Sequence, residues 1–432
     1  MLKEVIKLVK LDITTFLSSI APIISLYILG GFIHKEIIGV FGLTYMFQFV
    51  WGMFYKGMNR PIFIYAFKDI KEDKDKTMSI VFSGLLFFIL IEGMFYIISV
   101  MSMRRFLVLL AVDSTIIEIC YLYAIYATAA IGLQLIDRMS FSFYEYTGDI
   151  PYNNKLSSIY TMIRIGSTVV YVLLDKWLIL NDIAILSILL LPLLGFTGKV
   201  FMGVLKEINK YKIKFTWDFL NSFQYGIRDI IRGLMNVVGN FIGTRNINLA
   251  GTAISSSGST TFQYAFISTI TDVQWDCAGE ASTLTSLNIA SEPVKYKDIR
   301  QIHDKKVNSI WKSDLVASYI VLGIMTIFCF ISVYIISFRI NITNYMLINL
   351  ILDIVGMIIA TPCYILTAFL NALGRYKTLS IISIIGVAFR ILASSIPSVY
   401  AVNIGMVVSE IIQIILLVGI LIWYRNKYRE LK

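Results

Sequence analysis

The sequence predicts an all-α integral membrane protein, with about twelve transmembrane helices arranged as two pseudo-symmetric six-helix bundles around a central cleft. Three observations carry that prediction. Across 432 residues, 57% are apolar and only 15% charged, against roughly a quarter charged in an average soluble chain. Apolar runs recur at lengths that can cross the hydrocarbon core, which takes about 20 residues of helix. Basic residues alternate from one interhelical loop to the next, as membrane topology demands.

The spans are read near 12–33, 38–66, 78–101, 115–137, 156–175, 178–198, 226–244, 254–289, 314–337, 344–373, 378–398 and 402–424. The first follows Lys3, Lys7 and Lys10 but outruns a signal peptide and lacks a small-residue cleavage site, so it is read as a retained span. The second, eighth and tenth runs exceed a simple crossing and are expected to tilt, kink or protrude. A basic, polar connector at 206–225 separates a six-helix lobe at 1–205 from a second at 226–432.

Counting Lys and Arg in alternate loops places about 26 on one side and about 6 on the other. The basic side holds Lys3 to Lys10, Lys68 to Lys76, Arg138 and Lys155, Lys199 to Lys214, Lys295 to Lys312, Arg375 and Lys377, and Arg425 to Lys432. Both termini are therefore expected in the cytoplasm of a multi-pass cell-membrane protein, which an even number of spans allows. The same distribution explains the net charge of +10 without a nucleic-acid partner, since the charge is spread over every inner loop.

Cys120, Cys277, Cys329 and Cys363 fall inside spans with no CxxC or metal spacing, so neither disulfides nor a metal site is expected. No catalytic triad, phosphate-binding GxxxxGK[ST] loop, HExxH or dinucleotide fingerprint is present. An enzyme and direct ATP use are thereby disfavoured. No cofactor is expected, and a proton or sodium gradient would have to drive any pumping. The expected partners are the bilayer and a small-molecule or lipid-linked substrate, with the chain acting as a monomer.

Weak internal echoes suggest duplication. FIHKEIIGVFG at 32–42 after the first span is matched by FIGTRNINLAG at 241–251 after the seventh, and KLSS at 155–158 by KTLS at 377–380. Parallel repeats related by an axis along the membrane normal place a cargo site between the halves near mid-membrane. This layout resembles the multidrug and toxic-compound extrusion (MATE) transporters within the wider superfamily that includes lipid-linked oligosaccharide flippases. The segment AFLNALGRYK at 368–377 is similar to that family's small-residue helix end followed by a Gly-basic-x-basic turn, and GNFIG at 239–243 is a second local likeness. The resemblance implies alternating access. Many prokaryotic members carry a coupling Asp midway along the first helix, but here 18–25 reads SSIAPIIS and the first span's one carboxylate, Asp12, lies at its entry. Coupling is then expected from the C-terminal half, or not at all.

Ionisable groups inside spans are costly and persist where they face protein or water. Asp272, Asp276 and Glu280 recur every four residues in the eighth span and so share one helical face. Trp275 sits beside them. The second span offers an opposing basic stripe, Lys56 and Arg60, with Trp51 as a further aromatic wall. Superposed repeats would set the two stripes facing each other, as an inter-lobe gate, as cargo contacts or as a structural lock. Arg228, Asp229 and Arg232 near the start of the seventh span are candidates for an inner gate, with snorkelling to phosphate as the plainer alternative. Asp353, isolated among apolar residues of the tenth span, is a candidate for coupling. Glu92, Glu118 and Glu410 are further single acids, and Arg164 and Arg390 are expected to be matched interhelical anchors.

Two function classes follow. The acidic stripe favours a secondary-active exporter of a small amphiphilic, cationic solute. The basic residues favour a flippase for a lipid-linked oligosaccharide or other anionic lipid-linked precursor.

Overall fold

The computed structural model describes residues 2–33, 37, 58–69, 73–110, 114–147, 149–178, 180–250, 260–291, 304–338, 341–373 and 375–429. Long helices fill them. In chain order these are α1 (Leu2–Phe32), the short α2 (Arg60–Ile64) running into a π-helical turn (Tyr65–Asp69), α3 (Lys74–Leu109), α4 (Ser114–Thr147), α5 (Ile150–Asp175) and α6 (Asp182–Ile208). A 3₁₀ turn (Asp218–Ser222) then leads into α7 (Phe223–Ala250), followed by α8 (Thr260–Ser291), α9 (Lys305–Ser337), α10 (Asn344–Ala372), α11 (Tyr376–Ser394) and α12 (Ala401–Arg429). Every expected span except the second coincides with one long helix; the second lies mostly outside the described residues. Among the described residues, seven helices are long and apolar enough to cross a membrane by length and composition alone: α3, α5, α6 and α9 to α12. Composition counts against α8, which carries Asp272, Asp276 and Glu280 besides Gln263, Ser268, Thr271, Gln274 and Thr285; the last five are buried. A polar helix is stable in a bilayer when its polar groups face the bundle.

Local chemistry sets several of the helix starts. Asp73, Asn181, Asp304 and Thr343 cap α3, α6, α9 and α10, each side-chain oxygen accepting from an amide of the first turn. Asp149 does the same for α5, with Pro151 in the first turn, where its missing N–H costs nothing. Pro362 lies inside α10 and cannot donate to the carbonyl of Ile358. The Tyr319 hydroxyl of α9 donates to that carbonyl instead, at 3.0 Å, so a neighbouring helix satisfies the group that proline frees.

The chain forms two compact units, Ile20–Val237 and Met1–Ser19 together with Val238–Lys432. In the first, α4 packs on α3, α5 and α6. In the second, α10 is the central helix, packed against α8, α9 and α12, with α11 paired to α12. Leu8, near the start of α1, belongs to this second unit and lines a cavity beside α8, α9 and α10.

The basic connector takes a definite course in the first unit. The amides of Lys212, Lys214 and Thr216 donate to Asp75 Oδ1 (3.3 Å), Ser79 Oγ (3.1 Å) and Ser83 Oγ (3.0 Å) of α3. Two residues of extended chain advance roughly 6.6 Å and four residues of helix about 6 Å. Alternate amides of the connector thus meet every fourth side chain of the helix. Lys76 also pairs with Asp218 at 3.3 Å. Ser83→Ala is expected to strand the Thr216 amide and weaken this strap by about 1 kcal/mol. Trypsin cleavage at Lys212 and Lys214 should then accelerate about fivefold, read on a gel time course; an unchanged rate would show that the ladder contributes nothing to holding the strap.

Candidate functional site

The buried carboxylate of Asp353 is the best-defined candidate site. It lies on α10, which packs against α8, α9 and α12, with 4% of its surface exposed. The Thr271 hydroxyl of α8 donates to its Oδ2 at 2.8 Å. Among the described residues Asp353 forms no salt bridge. With one neutral donor and no counter-ion among the described residues, such a carboxylate is suited to taking up and releasing a cation. Tyr264 on α8, Cys329 on α9 and Tyr345 on α10 lie within its electrostatic reach.

The polar lining continues along α8. Gln274, one turn from Thr271, donates through Nε2 to Thr326 Oγ1 of α9 at 3.0 Å. Trp275 packs edge-on against Tyr364 of α10, with ring centroids 6.4 Å apart, and joins Ala278, Leu322 and Met357 in an apolar cluster. Asp272 is half-buried on the same helix. Asp276 and Glu280 fall within α8, as their spacing predicts, but their side chains lie outside the described residues. Trp51 and Lys56 also lie outside them; Arg60 begins α2, with its side chain likewise undescribed. Arg228, Asp229 and Arg232 occupy the first turns of α7, and nothing is described of their side chains.

Each unit also buries an arginine tied to a side-chain amide on another helix. Arg164 of α5, with no exposed surface, donates to the Tyr160 hydroxyl (2.9 Å) and to Gln134 Oε1 of α4 (3.3 Å). Three residues along α4, Asp137 accepts from Thr197 of α6 at 3.0 Å. Arg390 of α11 donates to Asn240 of α7 and lays its stem against Gly239, where a β-carbon would meet its Cγ at 3.3 Å. Both arginines therefore link helices, as the sequence suggests. Their amide partners were not legible there, because Gln134 and Asn240 look like ordinary polar residues until the facing helix is known. Thr271 and Gln274 were missed for the same reason. Their one sequence signal is a three-residue spacing, which sets them on a common face.

No protein-family model matches the sequence, and no curated protein matches it. Solved structures do. A transporter of the MOP superfamily from Pyrococcus furiosus superposes with a TM-score of 0.69 at 10% identity, over 98% of this chain and 95% of that one. The fold is that of the MATE transporters. A Vibrio cholerae MATE transporter gives a TM-score of 0.66 at 14% identity, with 99% and 97% of the two chains covered. The lipid II flippase MurJ, in an inward closed conformation, gives 0.65 at 16% identity, covering 95% and 86%. MATE transporters of this fold are known in both inward-facing and outward-facing conformations. At these identities the likeness establishes the fold alone.

Proposed function

We propose that this chain is a secondary-active transporter of the MATE type. It exports a small, amphiphilic, cationic solute by alternating access between its two lobes, driven by a proton or sodium gradient that acts through Asp353. It works as a monomeric, multi-pass protein of the cell membrane with both termini in the cytoplasm. The observation that carries the reading is the enclosed Asp353 carboxylate, bonded to Thr271 at 2.8 Å within a MATE fold. A charge-bearing group kept at such a place in the bilayer is costly unless it does ion-linked work. The carboxylates Asp272, Asp276 and Glu280 on α8, with Trp275 among them, give a cationic amphiphile acidic and aromatic partners. Arg228, Asp229 and Arg232 would form the inner gate.

A second reading has its own support. The likeness to MurJ, a lipid II flippase, together with Lys56, Arg60, Arg228 and Arg232 as partners for a pyrophosphate, favours movement of an anionic lipid-linked precursor.

Inside-out vesicles separate the two. The exporter reading expects ethidium to accumulate when a proton or sodium gradient is imposed, and to leak out when an ionophore collapses it. Failure to accumulate under either gradient, combined with translocation of a fluorescent lipid-linked pyrophosphate in proteoliposomes, would overturn export in favour of the flippase.

A further inference from the structure

The connector between α6 and α7 carries cations and aromatic rings along the start of α3 in a fixed order. The amides of Lys212, Lys214 and Thr216 bond to Asp75, Ser79 and Ser83. Those three α3 residues span two helical turns, about 12 Å along the axis. Over the same stretch α3 passes from the charged KDK at 74–76 to a run without charge at 77–91. The headgroup layer on each side of a bilayer is roughly 5–7 Å thick. A strap that follows α3 this far therefore starts among the headgroups and ends at the edge of the hydrocarbon. Its side chains suit those depths. Lys212 and Lys214 are exposed at the shallow end. Phe215 and Trp217, at the deep end, leave 51% and 60% of their surface exposed and pack edge-on with ring centroids 5.1 Å apart. Phe219, by contrast, is buried against Phe87 of α3.

The acids nearby are already engaged. Asp73 caps α3, Asp75 accepts the Lys212 amide, Asp218 pairs with Lys76 and Glu207 pairs with Lys210. Lys212 and Lys214 form no ion pair among the described residues. Two residues apart on extended chain, they stand about 6.6 Å from each other on one side of it, within reach of a single phosphodiester. From this order of charge and ring we infer that the strap is a docking surface for an anionic phospholipid. The charged headgroup lies between the Lys212 and Lys214 ammonium groups, and the upper part of an acyl chain lies against Phe215 and Trp217. Lysines beside an anionic leaflet are held by an attraction that salt screens. Aromatic rings at this depth sit in the interfacial layer they prefer. A zwitterionic lipid offers the rings the same chain but brings the lysines no net charge. The surface lies wholly within the first unit and serves whichever cargo the chain moves.

The test uses the full chain in nanodiscs and reads Trp217 directly. Its fluorescence is the difference between the wild type and Trp217→Phe, and bromine carried on the upper acyl chain quenches it on contact. At low salt, brominated phosphatidylglycerol diluted in plain phosphatidylcholine is expected to quench this component about fivefold more than an equal amount of brominated phosphatidylcholine. Lys212→Gln combined with Lys214→Gln should bring the two lipids level, as should high salt in the wild type. The salt arm reads the same quantity if the double variant fails to fold. Equal quenching by both lipids in the wild type at low salt would overturn the selection of an anionic lipid. Selectivity unchanged in the folded double variant would overturn the assignment to these two lysines. Quenching by neither lipid would place Trp217 against water or a protein and overturn the docking surface altogether.

Discussion

Asp353→Asn is expected to abolish gradient-driven accumulation of ethidium in inside-out vesicles while the protein still folds. Asparagine keeps the size of the side chain and an oxygen able to accept from Thr271, whose bond to Asp353 measures 2.8 Å. The fold should lose no more than about 1 kcal/mol. What disappears is the exchangeable charge. A neutral amide neither binds nor releases a proton or sodium ion, so the imposed gradient has nothing to act on and uptake falls to that of vesicles lacking the protein. Asp353→Glu should retain part of the activity, since it can still titrate but must fit an extra methylene into an enclosed site. Thr271→Val is expected to fall between the two, because it removes a hydrogen bond that favours the ionised carboxylate, worth about 1.5–3 kcal/mol for a charged acceptor. Full wild-type accumulation by Asp353→Asn would move coupling away from α10.

Gly405→Val is expected to be the most damaging single change to the fold. Gly405 lies in the second turn of α12 where that helix meets α11. A β-carbon there would collide with the Ser394 side chain and stand 2.9 Å from the backbone carbonyl oxygen of Arg390. The hydroxyl can rotate away, but the carbonyl belongs to a helix turn and cannot move without displacing α11. Helices inside a bilayer gain little from hydrophobic exclusion and depend on close backbone approach at small residues. Even the alanine variant should lose about 1–3 kcal/mol through overpacking, and valine more, since its branched β-carbon adds two methyl groups at the contact. The expected readout in detergent is a lower thermal transition for Gly405→Ala and loss of the monodisperse folded peak on size exclusion for Gly405→Val. A valine variant as stable as the parent would mean that α11 and α12 can separate freely. Because Arg390, one turn from Ser394, reaches from α11 to Asn240 on α7, the alanine variant should also loosen that link.

Much of the architecture is readable from one dimension. Apolar runs long enough to cross hydrocarbon, broken by loops that alternate in basic content, fall on each of the long helices among the described residues, although several helices run well past the apolar run, as α1 does in starting at Leu2 against an expected 12. Asp353 was legible as a candidate because an acid among Leu, Ile and Val contrasts with its own neighbours in sequence. The acidic repeat Asp272, Asp276 and Glu280 stands out for the same kind of reason, being regular along one chain. Thr271, which touches Asp353, carries no charge and breaks no pattern, and threonine is common in membrane helices.

The sequence by itself determined the fold class, the helices and the set of membrane-embedded charges, because hydrophobic length and charge cost are properties of each segment alone. Only the tertiary structure decided which face of each helix meets which neighbour. It joins Thr271 to Asp353, Asn288 to Asp314, Arg164 to Gln134 and Arg390 to Asn240, and it lays the connector's alternate amides along α3. These pairings depend on the rotation and crossing of helices far apart in the chain. Close packing sets both, through contacts as short as that of Gly405 on α11, which no periodicity within a single segment encodes.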